Sequence, residues 1–579
     1  MQVFTSKWEL RAKEITEKTV TVYAPRGIIF DRNRVKLVDN QNYYDLMFTP
    51  SEIGEIDTLE FCNLIGITME DFYKKLDKVK KKEYHVPHPF ITQIKAEDFA
   101  RIREHLYKYK PGFFENVHTL RKYSLSIGAH ILGYLNEVDS SDIKKDAYYK
   151  SGDYIGRTGL EKAYEKELRG EKGKWYLLKN AKGLQSGDID QNRSYNAVNG
   201  QNLICTIDAE LQKYGEQLMQ NKIGSIVAIE PSTGEVLAMI SAPSYNPNWM
   251  VGKYNRNKYF PELNKDTLSP TLNRSIYSEY PPGSIFKMFN ALVGMKLGYL
   301  TPQTRFYCDG SLIGDHVLPG WYDMREAIKT SSNQWFLLGT KRFIQPGIHK
   351  SVFKDSRVGL EQWAKSMKAF GLGQKLPIEL DDVKPGFIPD VAYYDKIYDG
   401  PRWAYSTIYS ISIGQGEIML NPLQMANLSC VLANRGHFYF PHLIKQIGNK
   451  PKRKIYSEKQ IAIKDTSMFT VVIDAMRAVI TEAHGTAWRA RIDSISICGK
   501  TGTVENPHGD DHSVFMAFAP MKNPKIAIAV FVENGTWGGE WAAPIASLMV
   551  EKYLNGYIKD KAKEERILKQ DFIHKDESE

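Results

Sequence analysis

At Tyr280–Leu292 the chain runs "YPPGSIFKMFNAL". Pro281, Pro282 and Gly283 punctuate the backbone. From Ile285 onward, Phe286, Met288, Phe289, Leu292 and Val293 carry the spacing of a mostly buried helix. A turn followed by a helix is expected, with Ser284 at the helix start, where a hydroxyl can cap free backbone N–H groups. Lys287 falls on the same side one turn later, because residues three apart are neighbours on a helix. A cap has no use for a lysine, and a lysine in an apolar layer is costly unless paired. Capping accounts for Ser284 alone, whereas a serine nucleophile with a lysine as its base accounts for both. A single S-x-x-K arises by chance in a long chain, so the rest of a site has to exist.

Two later stretches supply it. "MREAIKTSSNQWFLLG" places Ser331, Ser332 and Asn333 at the start of another apolar run. The triplet suits a helix N-cap; equally, the Ser331 hydroxyl can pass a proton and the Asn333 amide can hold a peptide bond. "CGKTGTVEN" puts Lys500, Thr501, Gly502 and Thr503 on an expected strand near a sheet edge. Alone this reads as a strand with an exposed lysine. As part of a site, Gly502 would let a substrate backbone come close, and the lysine and threonines would suit a terminal carboxylate.

The chain has 579 residues, 42% of them hydrophobic and 25% charged, enough for two or more domains and incompatible with wholesale disorder. Its net charge of +9 is spread over many lysines, and no arginine-rich footprint for nucleic acid occurs. The densest basic run, Tyr73–His85, is read as a solvated helix face. The five cysteines, Cys62, Cys205, Cys308, Cys430 and Cys498, are scattered and give no disulfide framework. No apolar run reaches membrane-spanning length, and the opening twenty residues are amphipathic.

Along the chain, "TVYAPRGIIFDRNRVKLVDN" reads as strand, turn, strand, and Gly152–Gly170 as a glycine-rich turn with a charged helix from near Gly159. The polar stretch Ser186–Asn202 marks a boundary between two units. "GSIVAIEPSTGEVLAMISAPSYNP" is a hairpin. Three buried strands and a closing helix end the second unit, so one sheet is expected to be assembled from both of its ends. The units are 1–199, 200–557 and a charged, loose or exposed helical tail at 558–579.

S-x-x-K, S-x-N and K-T-G in that order form the signature set of penicillin-interacting serine enzymes. The chain resembles the class B penicillin-binding proteins, most of all the penicillin-binding protein 2 branch of the cell-elongation machinery. "APRGIIFDRNRVKLVDN" is similar to the opening of their pedestal, with Arg34 where glycine is usual. "YIGRTGLEKAYEKELRGEKG", "SIGQGEIMLNPLQMA" and "FVENGTWGGEWAAPIA" extend the likeness over roughly Pro25–Leu554.

The resemblance implies an α+β protein: an elongated N-terminal pedestal, then a transpeptidase domain with a five-stranded antiparallel sheet flanked by helices. It implies acyl transfer from peptidoglycan stem peptides ending in D-Ala-D-Ala. Ser284 would be the nucleophile, Lys287 its base, Ser331 and Asn333 the relay and holder. Lys500, Thr501, Gly502 and Thr503 would bind the carboxylate, and β-lactam antibiotics would trap Ser284. No cofactor is required. Some relatives hold zinc between the first two motifs, where this chain has Cys308, Asp309, Asp315 and His316, proper ligand types without a C-x-x-C or paired-histidine spacing. The implied partners are a membrane glycan polymerase of the shape-and-elongation type and other elongation proteins. The implied location is the periplasm, with anchoring in the inner membrane by an N-terminal helix absent from this chain. Arg26, Asp31 and Arg32 are read as one ion-paired cluster fixing the pedestal's strand-turn-strand. The rival functions are a D,D-carboxypeptidase or β-lactamase of the same superfamily, which lacks a visible base for deacylating water, and a penicillin-binding sensor.

Overall fold

The computed structural model describes residues 17–79, 84, 87–179 and 185–574. The amphipathic opening and most of the basic run beyond Val79 lie outside them. The first part of that run, Tyr73–Asp77, belongs to the helix Met69–Asp77, where Lys74 pairs with Glu70 in solvent. Lys75 instead reaches the Phe90 carbonyl at 2.8 Å.

The N-terminal unit is built on Lys36–Phe48, a long strand paired antiparallel with both His88–Lys95 and Phe113–Tyr123. Phe48, Phe61, Phe72, Phe90 and Phe113 are buried between this sheet and three short helices. Beyond the other edge the same sheet continues into the C-terminal unit. Ile29–Phe30 pairs in parallel with Leu203–Cys205, which pairs antiparallel with Ile444–Ile447. The two units therefore share a sheet as well as a linker.

The expected boundary stretch is correspondingly not free. Tyr195 and Val198 bridge to Lys174 and Glu171, and the Asn202 side chain accepts from Ile28 N–H at 2.8 Å.

The strand Ile29–Phe30 stands between Arg26 and the turn residues Asp31 and Arg32, and the three form no common cluster. The Asp31 carboxylate accepts from the N–H groups of Asn33, Val35 and Ala209, fixing the turn and tying it to the next unit. Arg34 sits at φ +67°, the left-handed conformation that explains glycine as the usual residue here. Arg26 pairs with Glu161 (2.7 Å) and Glu165 (2.6 Å), and Arg121 with Glu161 (2.7 Å), deep in the pedestal. Arg32 points the other way, to Glu230 and Glu235 of the hairpin in the C-terminal unit. The three residues are too differently directed for sequence adjacency to put them in contact.

The central sheet of the C-terminal unit has five antiparallel strands in the order Val236–Ala242, Gly224–Ile229, Ile526–Val532, His512–Ala519, Cys498–Val504. The expected hairpin contributes the first two strands and the chain's end the last three. Both faces are covered, so the strands are apolar runs rather than alternating ones. Pro422–Ala433, buried on every side, packs on one face; it starts with Asn421 and Gln424 in a reciprocal capping box. Ala542–Asn555 and Ala209–Leu218 cover the other. The tail is helical at Lys561–Lys569, as expected, but it is docked. Ile567 is fully buried, and Lys222 Nζ donates to the Gln570 carbonyl at 2.9 Å. All five cysteines are free and buried.

Candidate active site

Pro282, not Ser284, occupies the cap position before the turn Gly283–Phe286, and the helix Lys287–Lys296 follows. Ser284 lies within the turn, half-buried, on the wall of a cavity of about 430 Å³. Behind it the helix is buried from Lys287 to Met295.

Lys287 is fully buried with its charge end spent on three acceptors. Its Nζ donates to the Ser331 carbonyl (2.7 Å), the Ser331 hydroxyl (3.3 Å) and the Asn333 amide oxygen (2.6 Å). Burial pulls its pKa from 10.5 to about 7, against a smaller upward pull from the Asp315 charge. A lysine tuned there is a usable base near neutral pH.

The Ser-Ser-Asn triplet divides its labour one residue at a time. Ser332 is the N-cap of Asn333–Ile344, accepting from Trp335 N–H at 3.2 Å. Ser331 ends the preceding helix Met324–Thr330 in a left-handed conformation, φ +64°. That geometry costs a non-glycine residue roughly 1–2 kcal/mol, and here it turns the Ser331 hydroxyl between two lysines.

The second of these is Lys500. It lies on Cys498–Val504, the edge strand of the central sheet, but its side chain is fully buried. Its Nζ donates to the Ser331 hydroxyl and to the Thr501 carbonyl, each at 2.9 Å. Burial, then repulsion by Lys287, holds its pKa well below 10.5. A surface-strand lysine is therefore not what the structure has, and neither lysine belongs to the cavity wall. Thr501 and Thr503 do line it, together with Ser284, Ser331 and Asn333.

Gly502 faces the serine turn. A Cβ there would lie 3.1 Å from the Pro282 carbonyl and 3.5 Å from the Ser284 nitrogen. The close approach it permits is between the strand and the turn that carries Ser284.

Sequence reasoning passed over several wall residues. Gln415 donates toward the Thr503 carbonyl at 3.4 Å, and the Thr486 and Thr501 hydroxyls share a hydrogen bond of 2.6 Å. The loop around Gly538 lies across the strand edge, with Trp537 on the rim. Gln415 and Trp537 lie inside stretches already quoted for their family likeness, "SIGQGE" and "GTWGGE", which do not say what these residues meet.

The four zinc candidates do not converge. Cys308 is buried beside the Phe306 carbonyl, and Asp309 accepts from Ser311 and Gln334. Asp315 accepts from Ser332 and from the Gln334 N–H, and the His316 ring meets Trp537 edge-on at 5.5 Å. Among the described residues no group of three histidine, cysteine or acidic side chains is placed to hold a metal. These residues do not fit a zinc ion.

Residues 224–551 match the penicillin-binding protein transpeptidase domain, and residues 21–205 the penicillin-binding protein dimerisation domain. The chain belongs to the penicillin-binding protein family. It is 28% identical to peptidoglycan D,D-transpeptidase MrdA of Salmonella typhimurium, over 92% of this chain and 89% of that one. Against MrdA of Acinetobacter baumannii the identity is 29%, over 91% and 80%. A Pseudomonas aeruginosa PBP2 structure in complex with WCK 5153 matches with a TM-score of 0.67 and 27% identity, covering 94% of this chain and 99% of that one. The Helicobacter pylori PBP2 in its complex with MreC has the same fold, with a TM-score of 0.78 at 24% identity, covering 94% and 100%. Within this penicillin-binding protein, S-x-x-K, S-x-N and K-T-G are 47 and 169 positions apart, counted from Ser331 back to Ser284 and on to Lys500, and meet at one hydroxyl.

Proposed function

We propose that this chain is a serine-type peptidoglycan D,D-transpeptidase serving cell elongation and shape. The observation that carries the reading is Lys287, fully buried, with a lowered pKa and its Nζ on Ser331 and Asn333 at the foot of the cavity that Ser284 lines. The Ser284 Oγ attacks the carbonyl of the penultimate D-alanine, and its proton passes to neutral Lys287. The backbone N–H groups of Ser284 and Thr503 hold the oxyanion, on the order of 3 kcal/mol per donor. As the C–N bond breaks, the Ser331 hydroxyl hands a proton to the departing D-alanine amine and is reprotonated by Lys287. An amine from a second stem peptide then attacks the ester carbonyl, and the proton it loses returns to Ser284 Oγ as that leaves. Thr501 and Thr503 read the terminal carboxylate from the cavity wall; Lys500, turned inward, acts on the relay through Ser331.

The pedestal is assigned to residues 1–199, the catalytic unit to 200–557 and the tail to 558–579, of which the described part is docked on the catalytic unit. We place the protein in the periplasm, anchored in the inner membrane, working with a glycan polymerase and elongation proteins. The match at 25% identity to a complex that coordinates polymerisation with cross-linking supports the reading of a polymerase partner. The test is incubation with a stem peptide ending in D-Ala-D-Ala and an acceptor amine. Cross-linked product with release of D-alanine, both lost in Ser284→Ala, supports the reading. Release of D-alanine into water without cross-linking would make it a carboxypeptidase.

A further inference from the structure

We infer that Asp315 is a positioning residue: it holds the Ser-x-Asn segment in register so that Ser331 and Asn333 present their oxygens to Lys287. This assignment rests on the reaction proposed above for Ser284 and Lys287.

Asp315 belongs to the loop 309–319, which connects the short strands Phe306–Cys308 and Gly320–Tyr322. One carboxylate oxygen of Asp315 accepts both the Ser332 hydroxyl (2.7 Å) and the Gln334 N–H (2.9 Å). Charge-assisted bonds of this kind are among the stronger ones. The Ser332 hydroxyl, its proton donated to Asp315, keeps its oxygen for Trp335 N–H. Residues on both sides of Asn333 are thereby fixed.

The preceding residue sets the amide itself. The Asn333 NH₂ donates to the Gly314 carbonyl at 2.8 Å, which leaves its oxygen facing Lys287. A loop that shifted would release both contacts together. The same loop carries His316 to the cavity wall against Trp537, so bracing and rim move as one piece. No metal is needed for this: the carboxylate bonds the motif directly.

The Asp315 charge acts on Lys287 from the loop, and Lys287 in turn acts on Lys500 of the edge strand. The Asp315 charge favours protonated Lys287. Its removal lowers the pH at which Lys287 becomes a base.

The experiment uses the full chain with Asp315→Asn and Asp315→Ala. Asparagine keeps an acceptor oxygen and loses the charge; alanine loses both. Two readouts are taken: the rate of β-lactam acylation against pH, and the titration of the Lys287 ¹³Cε resonance, assigned by its loss in Lys287→Arg. Expected for Asp315→Asn are a Lys287 midpoint and an acid limb both moved to lower pH. Expected for Asp315→Ala is a plateau rate about 100-fold lower, as for a displaced catalytic group. A Lys287 midpoint unmoved in Asp315→Asn, or wild-type acylation in Asp315→Ala, would overturn the assignment. The resonance reads the lysine whether or not Ser284 is the nucleophile. A moved midpoint with no wild-type acylation would therefore fault the proposed reaction and not the role of Asp315.

Discussion

Lys287 and Lys500 converge on one hydroxyl, that of Ser331, at 3.3 and 2.9 Å, with both side chains fully buried. Burial disfavours the charged form of both, and the Lys287 charge adds to that at Lys500.

The first prediction concerns the base. Lys287→Ala lowers the acylation rate by about 10²–10⁴-fold, the usual range for a general base, while pre-covalent β-lactam affinity changes little. In the wild type, acylation rises with pH through about 7, because the neutral form accumulates above the folded pKa. Stopped-flow acylation across pH 5–9 checks both. Near-normal rates in the variant would place the base elsewhere.

Stability carries the same signature with a defined sign. Lys287 titrates near 7 when folded against 10.5 unfolded, so between these values the unfolded chain binds more protons. The charged lysine therefore costs the fold on the order of a few kcal/mol below pH 7, and the cost fades as pH rises toward 10.5. Lys287→Met removes that dependence. The melting temperature of the variant minus that of the wild type should be largest at pH 7 and below and should shrink at pH 9 to 10. A gap that does not vary with pH would mean that Lys287 is not depressed in the folded state.

Much of this site is legible in the sequence because its three motifs are local signals: a turn before an apolar helix, a helix start and a strand glycine. The partners of those residues are not. Ser331 and Ser332 look alike on paper, and only the structure separates Ser331, in a left-handed backbone, from Ser332, the helix cap. Lys500 reads as a surface lysine because its partners lie 169 and 213 positions away, at Ser331 and Lys287. Asp315, a metal ligand by residue type, is a hydrogen-bond acceptor by position. The pedestal failed similarly: Arg26, Asp31 and Arg32 are neighbours in sequence and diverge because a strand and the turn after it aim them at different units.

That divergence separates stability from chemistry. Arg26→Ala leaves the buried Glu161 with Arg121 alone and should destabilise the chain by roughly 3–5 kcal/mol in chemical unfolding. Acylation of the folded variant by a β-lactam should stay near wild type, whereas cell-wall growth supported by the protein in cells should suffer. Loss of acylation with an unchanged circular dichroism spectrum would tie the pedestal directly to the active site.

Gly538 tests the roof of the strand edge. A Cβ there would come within 2.4 Å of the carbonyls of Gly502 and Val514, backbone atoms that cannot swing aside. Gly538→Ala should lift the Trp537 loop from the K-T-G strand and slow acylation at least 10-fold, an order-of-magnitude expectation for a displaced binding wall. Unchanged acylation would show that the loop is dispensable to the site.

The central claim is that Ser284 is the acylated residue, and intact-mass analysis after exposure to a β-lactam tests it most directly. One adduct per chain, mapped to the peptide bearing Ser284 and lost in Ser284→Ala, is the predicted result. An adduct of the same mass persisting in Ser284→Ala would contradict it.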